Sequence, residues 1–227
     1  MRALVIALGV GLAACVSAQG ATDAQSPFSG QLASAQTQSQ AQSPQTYTPV
    51  DLPAGAYRID PRHTTVLFRI RHEGISWFTA RFDTKDAALD LNPADPTQSH
   101  LTASVDATSV DTGLTNAAGE RGFDHSIGNM LGAQTTQQIT FTSTSIERTG
   151  QNTARVTGNL TMNGQTHPAT LEVTFGGGHN DIARAGAVAI GFSAHGVIDR
   201  SQWGVNQWTA FAGNDVQIII ETEFTHG

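Results

Sequence analysis

The chain has 227 residues, of which 39% are hydrophobic and 14% charged, and its formal net charge is −7. That length fits one domain of ordinary size plus extra segments, with enough residues to bury a sizeable core. The acidic balance gives no electrostatic footprint for nucleic acid and argues against attachment by attraction to anionic lipid.

The N-terminal stretch "MRALVIALGVGLAAC" opens with one Arg and continues as an apolar run from Ala3 to Ala14. The run is too short to span a bilayer and reads as the core of an export signal within residues 1–18. Two cleavage sites compete. Val16-Ser17-Ala18 offers the small residues of an ordinary signal-peptidase site, whereas Leu12-Ala13-Ala14-Cys15 has the form of a bacterial lipobox. Cys15 is the single cysteine of the chain. It has no internal disulfide partner, which favours cleavage before Cys15 and lipidation of that residue. Acylation would anchor the protein without a transmembrane helix. The expected location is the periplasm, on a membrane anchor or free after simple export.

Residues 19–50 are rich in Gln, Ala, Ser and Thr, carry one acid at Asp23 and show no periodicity. This is linker composition. A flexible coil of about 35 residues from Cys15 has an r.m.s. reach near 33 Å.

From Asp51 to Gly227 short alternating segments follow one another, separated by Gly, Pro, Asn and Asp. The sets are Thr64-Val66-Phe68-Ile70-His72, Leu101-Ala103-Val105-Ala107, Ile139-Phe141, Val156-Gly158-Leu160-Met162, Ala169-Leu171-Val173-Phe175, Val188-Ile190-Phe192-Ala194 and Val216-Ile218-Ile220. Each has period two, the mark of strands with one apolar face. Thr79–Phe82 and Ala87–Leu91 add two shorter strands. Asn163-Gly164 is a two-residue hairpin signal between its neighbours. Gly176-Gly177-Gly178 opens no helical pattern and reads as a flexible strand connection, not a phosphate cradle. In Glu120–Ala133, Phe123, Ile127, Met130 and Leu131 fall at helical spacing, so one or two short helices are expected there, weakened by internal glycines. About eight antiparallel strands with short turns imply an all-β sandwich or closed barrel. A membrane-spanning barrel would turn its apolar face outward; an anchor and linker would then be redundant, and no aromatic girdles are visible.

The segment "HTTVLFRIRH", His63 to His72, sharpens the choice of inner face. The two histidines lie nine residues apart, so a regular strand points them to opposite faces and separates them by roughly 30 Å. They cannot share a metal. Thr65, Leu67, Arg69 and Arg71 share one face, which suits solvent with the arginine stems covering Leu67. Val66, Phe68 and Ile70 then look inward, with His72 at the inner rim.

The stretches "YRIDPRHTTVLFRIRHEGIS" (57–76), "SVDATSVDTG" (104–113), "ITFTSTSI" (139–146), "VTGNLTMNGQTHPATLEVTF" (156–175), "GFSAHGVIDRSQWGV" (191–205) and "GNDVQIIIETEF" (213–224) resemble, in order, the blocks of the YceI-like family. These are lipocalin-like periplasmic proteins associated with polyisoprenoid binding. The resemblance implies a single antiparallel lipocalin-like β-barrel with a helix packed on it and an apolar tunnel for a long isoprenoid chain. It places Val66, Phe68, Ile70 and His72 in the tunnel, with Phe82, Phe141, Leu160, Leu171, Val173 and Phe192 as further lining. The helical segment departs from the family pattern: it reads Phe123-Asp124-His125-Ser126, with Met130-Leu131 where paired phenylalanines are usual.

Two other clusters carry chemistry-bearing side chains. Asp124-His125 with Glu120 reads as a helix cap or a polar contact between helix and barrel. Asp199-Arg200 with Trp203 and Trp208 reads as a turn network, with Arg200 as a candidate contact to an anionic head group. No serine lies in a nucleophile elbow. The expectation is a non-catalytic binder that stores or transports an isoprenoid or isoprenoid quinone, without cofactor or metal and with a homodimer plausible. The alternatives are a quinone-linked redox partner of a membrane cytochrome, for which the haem motif C-x-x-C-H is missing, and a structural module whose barrel is filled by side chains.

Overall fold

The computed structural model describes residues 51–181 and 186–226. The export signal, Cys15 and the linker lie outside them.

The strands are β1 (Gly55–Ile59), β2 (Thr65–His72), β3 (Ser76–Phe82), β4 (Lys85–Leu91), β5 (His100–Asp106) and β6 (Val110–Asp111). After helix α1 (Gly122–Met130) come the longer β7 (Gln138–Arg148), β8 (Thr153–Met162), β9 (Gln165–Asp181), β10 (Ala187–Asp199) and β11 (Ala212–His226). Pairing runs β1-β4-β5-β7-β8-β9-β10-β11 and returns to β1, which closes an all-antiparallel barrel; β2, β3 and β6 extend the sheet from β11. Closure leaves no sheet edge within that ring.

The short strands are halves of bent ones. β1 and β2 both lie along β11: Ile59 faces Phe224, and Thr65 faces Glu221. Between them the chain makes a 3-10 turn at Pro61–His63. β5 and β6 are joined by a second turn at Ala107–Ser109, and β3 and β4 by Asp83-Thr84. These last two bends stay in register, since Asp83 N–H donates to Ser109 O and Asp106 N–H to Thr84 O. An aspartate fixes each 3-10 turn of the described residues: Asp60 accepts from Arg62 N–H, Asp106 from Thr108 N–H, and, in two further turns, Asp95 from Thr97 N–H and Asp199 from Ser201 N–H. A short carboxylate two residues ahead mimics a backbone turn, so aspartates at the ends of alternating segments mark bends.

Helix α1 packs on the Ala107–Ser109 turn and on β6. The internal glycine that weakens the helical pattern is what permits this approach. A Cβ on Gly128 would lie 2.6 Å from the Ala107 carbonyl oxygen. Of the one or two short helices expected in Glu120–Ala133, one α-helix forms among the described residues, and residues 131–135 are turns.

Asn163-Gly164 forms the predicted hairpin, with φ of 50° and 72° and Met162 facing Gln165. The Gly176–Gly178 run corrects the sequence reading. It is part of β9, which continues through it to Asp181. Phe175 faces Phe192, yet Gly177 faces Gly191, so one residue is looped out as a bulge. Gly177 has φ +123°, a conformation that explains glycine there.

The buried side chains form two clusters. One, beside α1, contains Phe82, Val110, Ile127, Met162, Trp203 and Val205. The other, around β1, contains Tyr57, Leu89, Ile190 and Phe224.

Candidate functional site

Alternation along each strand sends one set of side chains inward, and in a ring those sets face a common axis. Here they do not fill it. A cavity of about 830 Å³ runs through the barrel, touching residues of both clusters. Its wall is almost wholly apolar. The volume lies toward the large end of ligand pockets, roughly 300–1,000 Å³.

All ten tunnel positions expected from the sequence line this cavity: Val66, Phe68, Ile70, His72, Phe82, Phe141, Leu160, Leu171, Val173 and Phe192. β2 supplies the first four at alternate positions, and β11 faces them with Ile220, Ile218 and Val216. Phe68 and Phe82 meet with ring centroids 5.3 Å apart. Phe192 packs between Phe175 at 5.4 Å and Phe224 at 6.1 Å. Gly158 makes room for the tunnel wall, since a Cβ there would lie 2.4 Å from the Phe141 ring. Thr64, on the same face as Phe68, is buried with its hydroxyl paired to Thr222 at 2.9 Å. The outward set of β2, Leu67, Arg69 and Arg71, is absent from the lining.

The two ends of the cavity differ. At the α1 end it reaches His72, Phe123, Trp208 and Phe211, all exposed. Phe123 stacks on Trp208 at 5.5 Å and meets Phe78 edge-on at 5.7 Å. At the opposite end the lining includes Arg148, Gln151, Asn152 and Thr153 of the β7–β8 turn. Sequence reasoning singles out Trp208 but misses Phe211, Phe78 and the whole β7–β8 turn. An aromatic residue within a loop is the signal that could have found Phe211, and period two back from Phe82 through Ala80 reaches Phe78.

Arg200 corrects the head-group expectation. It is buried, and its guanidinium donates to the carbonyls of Gly213 at 2.9 Å, Val205 at 3.0 Å, Gln207 at 2.8 Å and Ala212 at 3.3 Å. Four of the five donors of an arginine are thereby committed. Although it borders the cavity, Arg200 clamps the 204–213 loop instead of presenting a free fork. Burial pushes its pKa down, with Asp199 opposing, and an arginine stays charged regardless. Asp199 itself is held below the usual carboxylate range by hydrogen bonds from Ser201.

Asp124 makes the expected contact between helix and barrel. It is buried, accepts from the backbone and hydroxyl of Thr112, and pairs with Arg121. Burial pushes its pKa up, but the bonds from Thr112 and Arg121 outweigh that and hold it below the ordinary value. Arg121 also pairs with Asp111 at 2.9 Å, which ties the helix start to β6.

The two histidines of "HTTVLFRIRH" have separate surroundings. His63 Nδ1 lies 2.7 Å from the buried Asp60 and 3.6 Å from Glu223. Candidate ligand atoms of these three residues fall within 4.8 Å of one another. The 2.7 Å contact is a hydrogen bond that occupies Nδ1, and it braces the bend between β1 and β2. His72 stands at the aromatic mouth, opposite Ala212 on β11.

A closed barrel around an apolar tunnel has the form of a container. The profile of the YceI-like domain matches residues 57–224, and the chain belongs to the YceI-like family. It is 34% identical over 172 residues to a UPF0312 protein of Serratia proteamaculans (strain 568), covering 75% of this chain and 86% of that one. Among solved structures it is similar to Burkholderia cenocepacia BcnA, with TM-score 0.62 and 22% identity over 73% of this chain and 98% of that one. It is also similar to a polyisoprenoid binding domain from Saccharophagus degradans, with TM-score 0.53 and 13% identity over 76% and 99% of the two chains.

Proposed function

We propose that this protein binds, and stores or carries, a long-chain isoprenoid or isoprenoid quinone by burial, without chemical change to it, in the bacterial cell envelope. The observation that carries the reading is the continuous apolar cavity of about 830 Å³ along the barrel axis. A barrel serving only as a structural module would fill that space with side chains. Each methylene moved from water into such a wall contributes about 0.8 kcal/mol, so a prenyl chain needs few polar contacts. The family membership and the polyisoprenoid binding domain of the same fold support the choice of ligand. The chain lies inside, and the polar end remains at the aromatic mouth, where His72 is exposed and Arg200 is already engaged.

The envelope setting rests on the N-terminal export signal and the lipobox ending in Cys15. Anchorage through a lipidated Cys15 would keep the container near the phase that dissolves its ligand. The test is mass spectrometry of lipids extracted from protein purified from its native host, with uptake of a fluorescent prenol as a second measurement. A copurifying prenyl lipid in near-stoichiometric amount is expected. Protein that is repeatedly lipid-free and takes up no prenol overturns the reading.

A further inference from the structure

The aromatic mouth extends beyond the cavity lining into an exposed apolar patch. Ile75, in the β2–β3 turn, is 80% exposed, Phe211 55%, Trp208 42% and Trp77 38%. The segments that carry Ile75, Phe211 and Trp208 meet, and Trp77 lies beside them opposite Arg71 on β2. Glu73 N–H donates to Phe211 O, which joins the β2–β3 turn to the 204–213 loop, and Phe211 N–H donates to Trp208 O. Trp208 stacks on Phe123, and Phe123 meets Phe78 of the tunnel edge-on. The patch is therefore one surface from Ile75 to the cavity itself.

Two cations border it. The guanidinium of Arg69 lies 4.8 Å and that of Arg71 5.1 Å from the centre of the Trp77 ring. Arg69 bonds to Gln217 and Arg71 to the Gly74 carbonyl. Among the described residues neither has a carboxylate partner, whereas Arg81, Arg121 and Arg155 each pair with two. Exposed aliphatic and indole groups fringed by arginines without a carboxylate partner match the order of a membrane interface, with apolar groups below and cations at the phosphates.

We infer that this mouth docks on the surface of a phospholipid bilayer, with Ile75, Trp77, Trp208 and Phe211 entering the interface and Arg69 and Arg71 meeting lipid phosphates. The inference rests on the reading of the barrel as a container, because its occupant is named by continuity: a doorway to a lipid-filled tunnel opens onto the phase from which the lipid comes. Among the described residues the opposite end, rimmed by Arg148, Gln151 and Asn152, carries no large exposed hydrophobic side chain. With a net charge of −7, attraction to anionic lipid is not the driving force. Insertion of apolar side chains is, so zwitterionic membranes suffice.

The three tryptophans make the test direct. Trp77 and Trp208 lie in the patch, and Trp203 is buried in the core at 1% exposure. Full-length protein is mixed with phosphatidylcholine vesicles carrying bromine-labelled chains, which quench indoles at the interface. Ile75→Glu is compared with Ile75→Trp. Ile75 is not a lining residue, and its exposure leaves folding intact. Attachment through the N-terminus, if any, is common to all variants. Transfer of a dansyl-labelled farnesol into the protein is then timed from vesicles and, separately, from cyclodextrin.

Wild-type Trp77 and Trp208 are expected to be quenched. Ile75→Glu is expected to cut transfer from vesicles at least about tenfold, Ile75→Trp to raise it, and neither to change binding from cyclodextrin. Unquenched wild-type tryptophans, or equal transfer rates in wild type and Ile75→Glu, overturn the inference. So does a wild-type dimer that Ile75→Glu converts to monomer while vesicles go unbound, since the patch then covers a second copy of the chain. Quenching without uptake from either source leaves docking standing and removes the container reading instead.

Discussion

At the α1 end, the tunnel meets loops whose exposed side chains are aromatic, and the chain between Val205 and Gly213 is held by one buried arginine. At the other end it meets the β7–β8 turn, where Arg148 reaches only as far as the Gln151 carbonyl and Asn152 bonds to Phe175 O. The wall between them is the same alternating sheet. The difference teaches that the barrel defines what is held, while the ends decide where it passes. A polar turn satisfies itself with short-range bonds and can face water. An aromatic mouth cannot be satisfied by water, and its loop must be fixed from inside.

That contrast breaks most sharply at Arg200. Arg200→Ala leaves four carbonyls around an empty site, and a loss of about 3–5 kcal/mol is expected, read from urea unfolding. Hydrogen exchange should show the 204–213 loop opening first, with the β7–β8 hairpin protected as before. Arg200→Lys should recover only part, because a single ammonium cannot serve a fork of carbonyls. Equal loss of protection at both ends would count against a local clamp.

A block midway tests what the ends share. Ala194 lies between Val173 and Ile220, all three on the tunnel wall. Ala194→Phe should lower affinity for a fluorescent prenol at least about tenfold, a loss of about 1.4 kcal/mol or more, while the protein stays folded. Unchanged titration would place the ligand elsewhere.

The helix clasp separates the ends by pH. The folded pKa of Asp124 lies below its unfolded value of about 3.9. Its contribution is therefore complete above that value and lost as pH falls through the folded pKa. Asp124→Asn should cost about 1–3 kcal/mol near neutrality, and should flatten the acid limb of a plot of urea midpoint against pH. A wild-type acid limb that survives the substitution unchanged would assign it to other carboxylates.

The smallest expected effect is at His72. His72→Gln should alter discrimination between a prenol and the matching hydrocarbon by only a few-fold, about 0.5–1.5 kcal/mol for one hydrogen bond. Arg148→Gln, at the far end, should leave that ratio unchanged. The reverse result would move the polar end of the ligand to the β7–β8 turn.

Much of the wall was legible because period two is a local property. Val66, Phe68 and Ile70 declare one face of a strand, and the flanking arginines declare the other as outward. The same reasoning separated His63 from His72. It could not show that His63 belongs with Asp60 and Glu223, since Glu223 lies at the far end of the chain and meets the bend only when β11 closes on β1. It misread Gly176–Gly178, because a bulge inside a strand and a loop between strands use the same glycines. Arg200 shows the opposite limit. Its residue type suits a phosphate as well as a backbone carbonyl, and only the fold of the 204–213 loop around it selects the second.

Local patterning in the sequence specified most of the strands, the helical segment, the hairpin at Asn163-Gly164 and the apolar face of the strands it marked, because these follow from neighbours within a few residues; β1 and β6 escaped it. The tertiary structure alone decided that the apolar faces enclose an open tunnel, that bends and a helix shape one end, and that this end is aromatic. Those depend on how far apart opposite walls stand and which loops meet, and distances across a barrel are set by closure of the whole ring.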